Sequence, residues 1–182
     1  MANEILTEIF EYLKIKEKEL RIFHLNNALL VNHQWYECAS RVAYEKIKVE
    51  DTSIGILGKK FEKDKIPLWA KYIRSIKISQ ITYMPHDFYI SDVCKKCKNL
   101  EKLKITGDYR IINNTSLKDI AKNCKLKELT LQYNLNIRPK TIKEIPKLCP
   151  TLKELLIQHC HHLDRNELYD SLKQDYPHLE CF

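Results

Sequence analysis

The chain has 182 residues, 44% hydrophobic and 30% charged, which suits one good core or two small units of a soluble globular protein. Its longest unbroken aliphatic run, Ala28-Leu29-Leu30-Val31, is far short of a membrane span, and Glu4, Glu8 and Glu11 among the first apolar residues argue against a signal peptide. The net charge of +7 comes almost wholly from scattered lysines, and only three glycines occur, which leaves no phosphate-cradling or dinucleotide-binding loop. Gly-x-Ser-x-Gly and His-Glu-x-x-His are absent as well.

In chain order, residues 3–13 place Ile5, Leu6, Ile9, Phe10 and Leu13 on one helical face, with Asn3 as the expected N-cap. Lys14 to Lys18 reads as a charged break. A second amphipathic stretch starts near Glu19 and carries Leu20, Phe23 and Leu25. A third helical segment is expected from Asn27 through Val31, Trp35 and Ala39 to about Val42. Tyr44-x-x-Ile47-x-Val49 then predicts a strand. Gly55 and Gly58 suggest a turn, and Pro67-Leu68-Trp69-Ala70 with Tyr72 a short helix.

From Ile73 onward a spaced pattern, apolar-x-x-apolar-x-apolar, recurs. It is carried by Ile73/Ile76/Ile78, Leu100/Leu103/Ile105, Leu126/Leu129/Leu131 and Leu152/Leu155/Ile157. Successive first members lie 27, 26 and 26 residues apart, and a further 27 residues leads to Leu179-x-x-Phe182. This period reads as a leucine-rich repeat with one strand and one helix per unit. The fold class expected is therefore an α/β repeat, a short solenoid with a parallel sheet on its concave face and helices on its convex face. Tyr44 to Val49 copies the same template and should join the N-terminal helices to that sheet. Leu179 to Phe182 should form a terminal edge strand or be covered by another element.

In each unit the first, fourth and sixth template positions should point inward. Ser116-x-x-Asp119, Thr141-x-x-Glu144 and Asp164-x-x-Glu167 are candidate capping boxes. Ile120, Ile142, Ile145, Leu148, Leu168 and Leu172 are the expected buried helix faces, and Pro146 should shorten or kink its helix.

Seven cysteines, an odd number, fit a reducing compartment better than a disulfide framework. Cys94-x-x-Cys97 and His159-Cys160-His161-His162 invite a zinc site, but the repeat frame offers another account. Cys97 and Cys149 each precede a first template leucine by three residues, the place Tyr176 holds before Leu179. Cys124 precedes Leu126 by two. Cys160 lies eight residues after Leu152, where such repeats carry Asn or Cys to satisfy loop backbone; Asn134 and Asp108 hold that place in two other units. No metal, no cofactor and no catalytic residue is expected.

The first 49 residues resemble an F-box. The residues that carry the resemblance are Asn3-Glu4-Ile5-Leu6, Ile9-Phe10, Tyr12-Leu13, Leu29-Leu30-Val31-Asn32 with Trp35, and Tyr44, Ile47 and Val49. Met1-Ala2 stands where the pattern has Leu-Pro, Asn32 where Cys is commoner, and Glu19-Leu20 where Asp-Leu opens the second helix. An F-box followed by cysteine-containing repeats is similar to the F-box/leucine-rich-repeat family, whose members are non-enzymatic substrate receptors of cullin–RING ubiquitin ligases. The resemblance implies three parts: a three-helix F-box over 1–49, a connecting segment over 50–72, and repeats over 73–182. It implies a Skp-type linker protein and a cullin scaffold as partners, a protein substrate, and a cytoplasmic or nuclear location. It makes Ile5, Leu6, Ile9, Leu13, Leu30, Val31 and Trp35 the candidates either for linker docking or for the F-box core behind it.

The third, fifth and seventh template positions should face out on the sheet, with Tyr133 and His159 at the eighth. They run from Lys46, Lys48 and Glu50 through Ser75, Lys77 and Ser79 to Lys102, Lys104 and Thr106. Glu128, Thr130 and Gln132 follow, then Glu154, Leu156 and Gln158. The candidate substrate face comprises Lys77, Lys102, Lys104, Glu128, Tyr133, Glu154 and His159. Solvated strand residues are the plainest account of this row. The sharper one is a lysine ladder, Lys77, Lys102 and Lys104, that receives an acidic or phosphorylated segment. Two other functional classes stand beside the adaptor: a repeat scaffold whose helices only cap the array, and a basic nucleic-acid binder, the latter disfavoured by the lack of Arg–aromatic clusters.

Overall fold

A computed structural model describes residues 2–16, 28–49, 66–79, 88–106 and 112–181. The second predicted helix with Glu19, Leu20, Phe23 and Leu25, the turn at Gly55 and Gly58, and Met1, Glu50, Asp108 and Phe182 lie outside the described residues, as does the side chain of Leu13.

The fold is α/β. Six parallel strands, β1 (Lys46–Val49), β2 (Ser75–Ile78), β3 (Lys102–Thr106), β4 (Glu128–Gln132), β5 (Glu154–Gln158) and β6 (Glu180–Cys181), stand side by side in sequence order. Among the described residues two helices precede the sheet, α1 (Ala2–Lys16) and α2 (His33–Tyr44). A 3₁₀ helix, Leu68–Tyr72, leads into β2. Four more helices, α3 (Phe88–Lys96), α4 (Asn114–Asn123), α5 (Pro139–Leu148) and α6 (Arg165–Asp175), alternate with β2 to β6.

The apolar rows of the sequence become rows of the core. Register sets Ile76, Leu103, Leu129 and Leu155 side by side, and likewise Ile78, Ile105, Leu131 and Ile157. All eight are buried, as are the first template residues Ile73, Leu100, Leu126, Leu152 and Leu179. Helices close this core from one side with Ile90 and Val93 of α3, Leu117 and Ile120 of α4, Ile142 and Ile145 of α5, and Leu168 and Leu172 of α6. Leu148 packs on it partly buried.

The repeat is also a repeat of hydrogen bonds. One carbonyl per unit accepts from two consecutive N–H groups of the next: Glu45 O from Arg74 and Ser75, Arg74 O from Glu101 and Lys102, Glu101 O from Lys127 and Glu128, and Lys127 O from Lys153 and Glu154. Glu45 follows Tyr44 directly, so the strand after α2 is built as the first member of the array.

The 26-residue step from Leu100 to Leu126 has a local cause. Each helix ends on a residue whose N–H closes the last turn: Cys97 to Val93 O, Cys124 to Ile120 O, Cys149 to Ile145 O and Tyr176 to Leu172 O. In three units that residue's carbonyl then accepts from the leucine three positions on, as in Cys97–Leu100 (3.0 Å), Cys149–Leu152 (3.0 Å) and Tyr176–Leu179 (3.0 Å). Cys124 and Leu126 are too close in sequence for that turn, so the missing residue lies there.

Several local expectations are corrected. Asn3 lies inside α1, its side chain accepting from Gln34 Nε2 (2.6 Å), and α1 continues to Lys16 through the expected break. The segment from Asn27 to Val42 is not one helix, because Asn32 adopts an extended backbone and caps α2 by accepting from Trp35 N (2.9 Å). Ser116 and Thr141 are not caps. Asn113 caps α4, accepting from Ser116 N (2.9 Å), and α5 starts at Pro139 after Arg138. Asp164 does cap α6, accepting from Glu167 N (3.1 Å). Pro146 falls in the last turn of α5, which stops two residues later. The final strand is shifted by one against the template: Cys181, not Phe182, is the residue beside Leu155.

Candidate interaction surfaces

The N-terminal helices have a small core of their own. Phe10, Ala28, Cys38, Ala39 and Val42 are buried together, with Leu6, Leu29, Trp35 and Ala43 packed half-buried around them. Phe10 meets the Trp35 ring edge-on at 5.6 Å. The structure thereby sorts the candidate docking residues. Leu6 and Trp35 belong to the core side. Ile5, Ile9, Leu30 and Val31 are exposed, Leu30 at 84%, and Tyr12 joins them. Ile5, Ile9 and Tyr12 lie at helical spacing on one face of α1. Five large exposed apolar residues on so short a segment exceed the scattered singles of an ordinary surface.

This unit is tied to the sheet. Tyr44 at the end of α2 stacks on Trp69 of the 3₁₀ helix at 4.6 Å and 19°. Glu37 of α2 pairs with Lys71 (3.0 Å) and accepts from the Tyr72 hydroxyl. An open cleft of about 1020 Å³ runs between α1, α2 and this junction. Its charged lining is largely paired, Arg74 with Glu101 (2.9 Å) among the pairs, and Glu101 also meets Lys127 (3.1 Å). Those two cations, Lys127 first, hold the Glu101 carboxyl below its usual range. No sequence signal pointed to this cleft.

The sheet face opposite the helices carries three rows of side chains. In one row Lys46, Ser75, Lys102, Glu128, Glu154 and Glu180 stand in register. In the next stand Lys48, Lys77, Lys104, Thr130 and Leu156. Thr106, Gln132 and Gln158 form the third, linked by hydrogen bonds from the Thr106 hydroxyl to Gln132 (2.9 Å) and from Gln132 to Gln158. Ser79, expected on this face, is buried.

The expected lysine ladder is therefore corrected. Lys77 and Lys104 are directly opposite each other, but Lys102 sits in the neighbouring row and forms an ion pair with Glu128. That pairing keeps the Lys102 ammonium protonated to higher pH than usual. The 26-residue spacing of Lys102 and Glu128 was the signal that could have found it. Glu180, opposite Glu154, was hidden because the template put it out of register.

Past the strand ends, Tyr133 and His159 stack at 4.5 Å and 7°, both with left-handed backbone, φ 59° and 54°. Beneath them Asn134 and Cys160 are buried. Asn134 Nδ2 donates to Gln132 O (2.9 Å) and Cys160 Sγ to Gln158 O (3.5 Å), the loop-satisfying role the repeat frame assigned to this place.

Two further thiols bridge units. Cys124 Sγ donates to Cys94 O (3.3 Å) and Cys149 Sγ to Cys124 O (3.4 Å). Burial raises the Cys97 and Cys124 thiols to about 12 and holds the Cys94 thiol well above its ordinary value. These are protonated thiols in apolar surroundings, unlike a reactive thiolate. Among the described residues, no three Cys, His, Asp or Glu side chains converge on a point where they could hold a metal ion. No described helix is long and apolar enough to cross a membrane.

No protein-family model matches the chain. No curated protein matches it either.

Proposed function

We propose that this chain is a non-enzymatic adaptor, in which an F-box-like N-terminal unit docks on a Skp-type linker and leucine-rich-repeat units present a protein substrate to a cullin–RING ubiquitin ligase. The observation that carries this reading is the exposed apolar set Ile5, Ile9, Tyr12, Leu30 and Val31, carried on a helical unit that already has its own core. Such a surface is stable in water only at a cost, and a partner that covers it removes that cost. The shared hydrogen-bond fork at Glu45 supports the rest: it ties the end of α2 to a sheet whose outer face no described helix covers. The buried, unpaired thiols suit the reducing cytoplasm or nucleus, where such ligases work.

The test is co-elution of the chain with a Skp-type linker on size exclusion. Wild type is expected to co-elute, and Ile5→Asp plus Ile9→Asp to abolish this by placing two charges in the docking face. Co-elution that survives in the double variant overturns the assignment of that face. Failure of the wild type to bind the linker leaves a repeat scaffold whose helices cap the array.

A further inference from the structure

The charged row of the open sheet face is not uniform. Register puts Lys77 directly opposite Lys104 on β2 and β3, and Glu154 directly opposite Glu180 on β5 and β6. Like charges in that relation destabilise a sheet. Between the two pairs, Lys102 of β3 and Glu128 of β4 neutralise each other. Among the described residues no ion pair is formed by Lys77, Lys104, Glu154 or Glu180. The face therefore passes from a cationic pair, through the Lys102–Glu128 ion pair, to an anionic pair, and neither like-charged pair forms an ion pair among the described residues.

We infer that this face binds an extended, bipolar peptide segment lying across the strands, with its carboxylates over Lys77 and Lys104 and its cationic side chains over Glu154 and Glu180. This rests on the adaptor reading and names the class of substrate it would take. The two pairs are centred three strands apart, roughly 14 Å at ~4.8 Å per strand, which an extended chain covers in about four residues. The row that holds Lys77 and Lys104 continues to Thr130 and Leu156, so the middle of the segment meets a neutral surface ending in an apolar side chain. A nucleic acid is the poorer fit, because a polyanion long enough to cross the sheet would lie over Glu154 and Glu180.

The experiment uses the full chain in complex with its linker and three synthetic fluorescent peptides of identical composition. Two carry an Asp-Asp block and a Lys-Lys block two neutral residues apart, so that the block centres lie about four residues apart, one in each chain order; the third intermixes the charges. One block peptide is expected to bind at least about ten-fold more tightly than the intermixed one. Lys77→Ser with Lys104→Ser, and separately Glu154→Gln with Glu180→Gln, should each erase that advantage while the complex still elutes intact. Equal binding of all three peptides overturns the inference, and so does an advantage that survives both variants. A single-stranded oligonucleotide that binds more tightly than either block peptide overturns it as well. The same peptides are also titrated against the full chain without linker, so that loss of linker binding in the wild type counts against the adaptor reading alone.

Discussion

Tyr133 and His159 occupy equivalent places in adjacent units, stack almost parallel at 4.5 Å, and both hold a left-handed backbone. For a residue with a Cβ that backbone costs on the order of 1–2 kcal/mol. What holds it is the turn beneath, where buried Asn134 and Cys160 donate to the strand-end carbonyls, and Tyr133 N donates to Gln158 O (3.1 Å). Tyr133→Gly should stay within about 1 kcal/mol of wild type in urea unfolding, because relief of the backbone offsets loss of the stack. Tyr133→Val should be less stable than the glycine variant by at least ~1 kcal/mol, since a β-branched side chain tolerates this backbone worst. Equal stability of the two variants would mean that the turn is not strained.

Phe10 and Ile5 lie on the same helix but in opposite surroundings. Phe10 is buried against Trp35, whereas Ile5 is 57% exposed. Phe10→Ala should cost roughly 3–5 kcal/mol and unfold the N-terminal unit. Ile5→Asp with Ile9→Asp should change the unfolding free energy by no more than about 0.5 kcal/mol, because neither side chain contributes to the core. Thermal unfolding followed by circular dichroism checks both. A large loss in the aspartate variant would place Ile5 and Ile9 in the core and remove their loss of linker binding as a measure of docking.

The apolar rows were legible because the repeat has one period and buries the same template positions each time; Leu103, Leu129 and Leu155 could be set side by side before any coordinates. The candidate docking residues were legible only as a set. Leu6 and Ile9 have the same chemistry, and the packing of α2 alone decides that one is half-buried and the other exposed. Caps were misread where two polar patterns competed. Ser116-x-x-Asp119 fits a capping box, yet Asn113 starts α4 three residues earlier. The charge pattern of the sheet was misread along the chain rather than across it: Lys102 is two residues from Lys104, but its neighbour in space is Glu128. The left-handed backbone of Tyr133 left no trace, since tyrosine does not favour it, and one histidine, a type that tolerates it better, was no signal by itself at position 159.

Asn114 shows how one side chain stitches two units. Its Nδ2 donates to Asn136 O (3.0 Å), and its Oδ1 accepts from Arg138 N (2.8 Å) and from the Thr141 hydroxyl (2.7 Å). The last two satisfy the start of α5, which has no side-chain cap of its own. Asn114→Ala should therefore destabilise the chain by about 1–3 kcal/mol, more than a single exposed hydrogen bond is worth. Asn114→Asp should recover part of the loss, since it keeps the acceptor for Arg138 and Thr141 while losing the donor to Asn136. Hydrogen exchange would localise the effect: amides of the first turn of α5 should lose protection in Asn114→Ala, and unchanged protection there would rule out this role.

Two buried thiols give the array a pH dependence of predictable sign. Burial raises Cys97 and Cys124 from 9.0 to about 12, so the folded state holds these protons more tightly than the unfolded chain. A raised folded pKa means the stability they contribute is fully present below pH 9.0 and is lost as pH rises toward about 12. Lysines and tyrosines also titrate in that range, so the useful quantity is the difference between wild type and Cys97→Ala with Cys124→Ala. That difference in unfolding free energy should be constant between about pH 6 and pH 8 and then shrink steadily from about pH 9 to pH 11. A difference that stays flat across the whole range would mean that the thiols are not buried in solution, and it would remove the hydrogen bond from Cys124 to the Cys94 carbonyl as well.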